Sequence, residues 1–161
     1  MRNGYALASR SGLIEIFNRL RASSEDERDE LRKLLRIGIQ WHTQVTLKEC
    51  THRVSQAYCS ALPVAYSNHS PDLWEDFARL VLESSYEATI CTAILNWHST
   101  GNNHVFLTLL GGGAFGNKIH WITEGLTRAL KLYKDWNIEV AIVSYGVSNE
   151  HVRQLIEQFP Q

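Results

Sequence analysis

The chain is poor in the residues that usually announce a function. It has three cysteines in 161 residues. Cys50, Cys59 and Cys91 are odd in number and show no C-x-x-C spacing, so neither a disulfide framework nor a cysteine-rich zinc site is indicated; reduced, mostly buried thiols are expected. Seven histidines (42, 52, 69, 98, 104, 120 and 151) form no HxH or HxxxH pair and have no cysteine at ligand spacing. No metal and no cofactor are therefore expected. Lys and Arg number 16 against 17 Asp and Glu, for a net charge of -1. That balance offers no general attraction to nucleic acid or an anionic membrane, and no basic tract or RNA-binding signature appears. No apolar run is long enough to span a bilayer, and the N-terminus carries no hydrophobic signal region, which points to a cytoplasmic or nuclear location. A G-x-S-x-G nucleophile elbow is absent, as are internal repeats, low-complexity tracts and linkers.

What is present suits a folded core. Apolar residues make up 44% and charged residues 20%, in the range of a globular domain, and the length fits one domain over residues 1–161. Ser11 to Ala22 has Leu13, Ile16, Phe17 and Leu20 on one helical face. Ser24 and Glu27 form a capping-box pattern at the head of a second helix. Acids fill its first turn, Arg32, Lys33 and Arg36 its last, and Leu31, Leu34 and Leu35 would be its buried stripe. The stretch from Glu25 to Arg36 thus reads as a solvated helix face. Ile37 to Leu47 alternates, with Ile37, Ile39, Trp41, Val45 and Leu47 on one side, as a half-buried strand does. Val54 to Leu62 is a second strand, ended by Pro63, and residues 63–71 are loop. Gln56, Tyr58 and Ser60 share one face of that strand; they either border a pocket or lie beside the core. A long helix runs from Leu73 to about Asn96, with Trp74, Phe77, Ala78, Val81 and Leu82 inward. The five tryptophans are expected in the core or half-buried.

The second half follows a strand–helix–strand–helix order. Val105 to Leu110 is nearly all apolar, as in a central parallel strand covered on both faces. Ile119, Ile122, Leu126, Ala129, Leu130 and Tyr133 define the next helix, with Asn117 as its cap. Ile138 to Tyr145 is a further strand, broken by Gly146. Ser148 would cap a last helix that buries Val152, Leu155, Ile156 and Phe159. The class is therefore α/β with a mostly parallel, mixed sheet.

The most informative stretch joins these elements: Gly111-Gly112-Gly113-Ala114-Phe115-Gly116-Asn117, between strand and helix. Glycines allow close backbone approach and positive φ. The free N–H groups and positive dipole end of the following helix favour an anion, with a phosphate or diphosphate the natural occupant. A purely structural turn is the alternative. The P-loop spacing is not met, because Gly116 is followed by Asn117-Lys118-Ile119 with no hydroxyl for magnesium. The dinucleotide fingerprint G-x-G-x-x-G is met by Gly111, Gly113 and Gly116. The next strand, however, ends at Ser144-Tyr145-Gly146 without the expected acid.

The strand, the glycine run, the helix and a strand ending in an aromatic together resemble the second half of a macro domain, over roughly residues 54–161. The run itself is similar to that of bacterial-type poly(ADP-ribose) glycohydrolases. Ser55 to Ser67 and Leu107 to Asn117 also resemble a family of larger macro-like proteins. The resemblance implies a three-layer α/β/α fold that binds ADP-ribose or a related nucleotide. Gly111, Gly112, Gly113, Ala114 and Gly116 would cradle the diphosphate and distal ribose, Phe115 would pack on that ribose, and Tyr145 would meet the adenine, with Asn117 and Asn149 nearby. The first half of a catalytic macro domain, including the Gln-Glu-Glu acid segment, has no counterpart before Val54. The chain is thus expected to be either the C-terminal part of a longer protein or a shortened relative. Binding without hydrolysis is the first expectation. An ADP-ribose-processing hydrolase completed elsewhere is the second, with Glu83 and Glu87, one turn apart, as its nearest acids. A domain that kept the fold and lost the ligand is the third. An incomplete domain would expose a sheet edge, so self-association is expected of it.

Overall fold

A computed structural model describes Tyr5 and residues 7–159; the extreme ends of the expected domain, residues 1–4, 6, 160 and 161, lie outside the described residues. The elements are α1 (Arg10–Ala22), α2 (Glu25–Arg32), β1 (Gly38–Gln44), β2 (Arg53–Tyr58), a 3-10 turn (Val64–Tyr66), α3 (Pro71–Thr100), β3 (His104–Thr108), α4 (Ile119–Leu132), β4 (Glu139–Val143) and α5 (Glu150–Ile156). The mixture of helix and strand is α/β.

Helix α3 organises the rest. Pro71 opens it, where a missing N–H costs nothing, and the Ser70 side chain caps it. It continues past the expected end to Thr100 and stops at Gly101, whose φ of 77° is a left-handed C-cap. Trp74, Ala78, Leu82, Tyr86, Ile90 and Ile94 recur every four residues and are all buried. Against this stripe pack Leu13 of α1 and Trp121, Ile122, Leu126 and Ala129 of α4, forming one core. Helices α1, α2 and α4 all contact α3, and α5 contacts α4.

The strands form two pairs rather than one sheet. β1 and β2 are antiparallel, whereas β3 and β4 are parallel, with Val105 opposite Val140 and Leu107 opposite Ile142. Val105 and Leu107 face the helices and are buried, but Phe106 between them is 71% exposed. His104, Thr108, Glu139, Ala141 and Val143 share its outer face and are exposed too. The expectation that β3 is covered on both faces is therefore corrected: its helix-facing side alone is buried.

Other expectations shift locally. The capping box is present, with the Ser24 N–H donating to Glu27 and the Glu27 N–H to Ser24. Leu34, however, is 68% exposed, because α2 ends at Arg32 before that turn can meet the core. β1 is mostly exposed, and a bulge between Gln40 and Thr43, with φ 52° at His42, breaks its alternation. β2 ends at Tyr58, and the following residues 61–64 bury themselves in the core instead. Asn149, not Ser148, caps α5, accepting from the His151 N–H at 2.9 Å. Of the tryptophans, Trp74 and Trp121 are fully buried and Trp97 is half-buried, whereas Trp41 and Trp136 are exposed.

Candidate functional site

The glycine run lies at the C-terminal end of β3, ahead of α4, beside the C-terminal end of its parallel neighbour β4. Tyr86 fixes the strand end from below. Its hydroxyl donates to the Thr108 carbonyl at 2.8 Å and accepts from the Leu110 N–H at 2.9 Å. Burial pushes the Tyr86 hydroxyl pKa up, against the opposing pull of the Leu110 N–H.

The loop then folds back on the segment after β2. The Ala65 N–H donates to the Phe115 carbonyl at 3.0 Å, and the Asn117 N–H to the Gly111 carbonyl at 3.0 Å. Two glycines are dictated by this packing. Gly111 has φ 70°, and a Cβ there would fall 2.4 Å from the Ala61 Cβ. Gly116 has φ 68°, and a Cβ there would fall 2.7 Å from the Ala65 Cβ. Real Cβ atoms do not approach so closely, so these positions require glycine for the fold itself.

Gly113 is different. It is exposed, its φ is not positive, and a Cβ there would meet nothing within 4 Å. Among the described residues the N–H groups of Gly113, Ala114 and Phe115 donate to no backbone carbonyl. Gly112 closes a turn onto the Leu109 carbonyl at 3.3 Å.

Asn117 does not cap α4; Lys118 occupies the cap position, without a side-chain cap hydrogen bond. Asn117 is instead 5% exposed and donates through Nδ2 to the Leu62 carbonyl at 2.9 Å. Its Oδ1 is buried without a partner. The expectation of a cap fails because the loop draws Asn117 inward to join two segments 55 residues apart. Lys118 Nζ stands 3.2 Å from Asp72 and 5.0 Å from the centre of the Trp121 ring.

Phe115 packs edge-on against Tyr66, with ring centres 5.4 Å apart, and against Tyr5 at 6.0 Å. Tyr145 follows the last β3–β4 register pair, Thr108 and Val143, by two residues and is fully exposed. The parallel pairing thus brings the glycine loop and Tyr145 to the same end of the strands. Asn149 is occupied in capping α5. Of four clefts of 660, 850, 560 and 350 Å³, none is lined by residues 111–117.

Glu83 and Glu87 on α3 are both held in ion pairs. Arg32, itself buried, donates to Glu83 at 2.8 Å, Glu25 at 2.7 Å and Asp29 at 2.6 Å. Arg128 donates to Glu87 and to Asp29, each at 2.5 Å. The hydrogen bond from Arg32, aided by the charge of Arg128, holds the Asp29 carboxyl below the usual aspartate value despite its partial desolvation. Desolvation would lower the Arg32 pKa, but Glu25, Glu83 and Asp29 outweigh it and raise the pKa. The stretch expected to be a solvated helix face therefore contributes Arg32 to a network joining α2, α3 and α4. Buried arginine paired this way is a packing element, whose signal in the sequence is no different from that of a surface charge.

Gln56 and Tyr58 border one cleft, and Tyr58 and Ser60 border the next. The cysteines are free and half-buried; burial raises the Cys59 thiol pKa, and Thr89 partly offsets this. Among the described residues no three His, Cys, Asp or Glu side chains gather as a metal site, and no helix is long and apolar enough to cross a membrane. No family model, curated protein or solved structure matches the chain.

Proposed function

We propose that this protein binds ADP-ribose or a related nucleotide diphosphate at the loop Gly111–Asn117. The observation that carries the reading is Gly113. The fold does not need glycine there, yet the position is open and flanked by backbone N–H groups that donate to no backbone carbonyl. Close approach of an anion accounts for both features, since a diphosphate would accept from the amides of residues 113–115. The dipole of α4 favours the same occupant. Tyr145, exposed at the same end of the strands, would stack on the base. Phe115 would present an edge of its ring to the ribose while keeping its contact with Tyr66.

The reading is one of binding without turnover on this chain, because Glu83 and Glu87 already accept from Arg32 and Arg128. The three-layer arrangement belongs to the same proposal. The described helices cover the Val105 and Leu107 face of β3, and a second layer over its open face would complete the macro-like fold. An intracellular compartment, where three free thiols stay reduced, also belongs to it.

One observation favours a second reading. Gly111 and Gly116 are accounted for by their fit to Ala61 and Ala65, as in an interaction domain that retains the loop without the ligand. Calorimetric titration separates the two. The binding reading predicts ADP-ribose binding near micromolar affinity, weaker binding of AMP, and loss of both in Gly113→Glu with unchanged thermal stability. Equal and negligible heats for ADP-ribose, NAD and AMP would leave the interaction domain as the reading.

A further inference from the structure

A continuous cleft separates the two strand pairs. β2 is paired with β1 on one edge, and β3 with β4 on one edge, so each has one edge without a strand. The space between those edges is a cleft of 850 Å³. It adjoins another of 560 Å³ toward the Cys59 end. All six residues of β2 and all five of β3 line one or both. Successive residues of a strand point to opposite faces, so a lining of consecutive residues means that the backbone edges bound the cleft.

The two strands run in the same direction along α3. Ser55 Oγ donates to Asn96 near the C-terminal end of α3, and Cys59 meets Thr89 farther back. β3 likewise starts just after α3 and ends over Tyr86. Ser85, Thr89, Ala93 and Asn96, all small or polar at helical spacing, form the floor between them. Ser85 is 1% exposed, and its hydroxyl has no partner. Neither cleft is lined by an acid. His42, Arg53 and His104 stand at one end and Arg36 at the other.

We propose that an extended polypeptide strand from a partner protein, acidic or neutral at its ends and apolar at alternate positions, inserts between β2 and β3. The resulting sheet would have the order β1, β2, partner, β3, β4. Backbone hydrogen bonds on both edges supply affinity, as in strand addition, but with two flanking strands instead of one. Alternate partner side chains point down to the small residues of α3. The others lie on the open face beside Val54, Tyr58 and Phe106, three exposed apolar side chains that an inserted strand would cover. Arg53 at one end and Arg36 at the other select against a basic peptide. This site is separate from the glycine loop and does not depend on nucleotide binding.

Amide hydrogen exchange followed by NMR tests it, using the whole chain and the synthetic capped peptide Asp-Val-Ser-Val-Ser-Val-Asp as probe. In the free chain, alternate amides of Arg53–Tyr58 and His104–Thr108 exchange fast while the paired ones are protected. With peptide, the fast amides on both strands slow by about tenfold or more. A Lys-flanked version of the peptide binds about tenfold more weakly. Thr89→Trp, which fills the floor, abolishes the new protection while the β1–β2 and β3–β4 amides stay protected, showing that the fold persists. Facing amides already slow in the free chain at all dilutions would mean that the strands pair directly, and would overturn the proposal. So would protection confined to one strand, or none at millimolar peptide. Protection that grows with protein concentration alone would make a second copy the occupant and overturn the assignment to a partner.

Discussion

Gly111→Ala separates the structural glycines from the one left for a ligand. The added methyl group would stand 2.4 Å from the Ala61 Cβ and 2.5 Å from Asn117 Nδ2. It would also force an L residue into φ 70°. Left-handed backbone and overpacking together cost about 2–5 kcal/mol. For a chain of this size that lowers Tm by roughly 2–4 °C for each kcal/mol. Urea unfolding followed by tryptophan fluorescence reads the change, with buried Trp74 and Trp121 as reporters. The experiment is run without nucleotide, so that no ligand linkage enters. Gly113→Ala in parallel is expected to stay within about 0.5 kcal/mol of the wild type. Adding Ala61→Gly to Gly111→Ala removes one of the two clashes and recovers part of the loss. A Gly111→Ala chain as stable as the wild type would refute the packing of the loop on residues 61–65.

Three further outcomes follow from contacts of the same loop and its support. Asn117→Ala removes one of the two donors to the Leu62 carbonyl, the Val64 N–H remaining at 3.0 Å, and is expected to cost about 0.5–1.5 kcal/mol in urea unfolding; no loss would remove Asn117 as the tie between the two segments. Tyr86→Phe deletes the hydroxyl shared by Thr108 and Leu110, which keep their own hydrogen bond at 3.0 Å, and is expected to cost about 0.5–1.5 kcal/mol. An unchanged urea midpoint would show that the strand end does not depend on it. The Asp29 carboxyl sits below its usual value when folded, so its contribution is complete above the unfolded value of about 3.9 and fades as pH falls through the folded one. Arg32→Met should therefore flatten the decline of stability below about pH 4, and an equally steep decline in the variant would assign the acid sensitivity to other groups.

Local signals were legible in the sequence, and the contacts joining distant segments were not. Ser24 and Glu27 are three residues apart and form their capping box as expected. The order β3, glycine loop, α4, β4 was readable from apolar runs and glycine positions, and β3 and β4 are parallel. Asn117 was misread because its position ahead of a helix suggests a cap, whereas its partner, Leu62, lies far away in sequence. The clash partners of Gly111 and Gly116 are Ala61 and Ala65, so the reason for those glycines also lies in another segment. Arg32 looks like a solvated charge until Glu83 on α3 is seen to receive it. The open edges of β2 and β3 were out of reach for the same reason, since strand pairing over long separations leaves no periodic mark.

The most direct measurement is a proton–nitrogen NMR titration of the whole chain with ADP-ribose. Binding at the glycine loop predicts that the amide signals of Gly113, Ala114 and Phe115 shift most, that Tyr145 moves with them, and that Gly113→Glu abolishes the shifts. Saturable shifts centred elsewhere, or none in the loop at millimolar ADP-ribose, would contradict nucleotide binding at Gly111–Asn117.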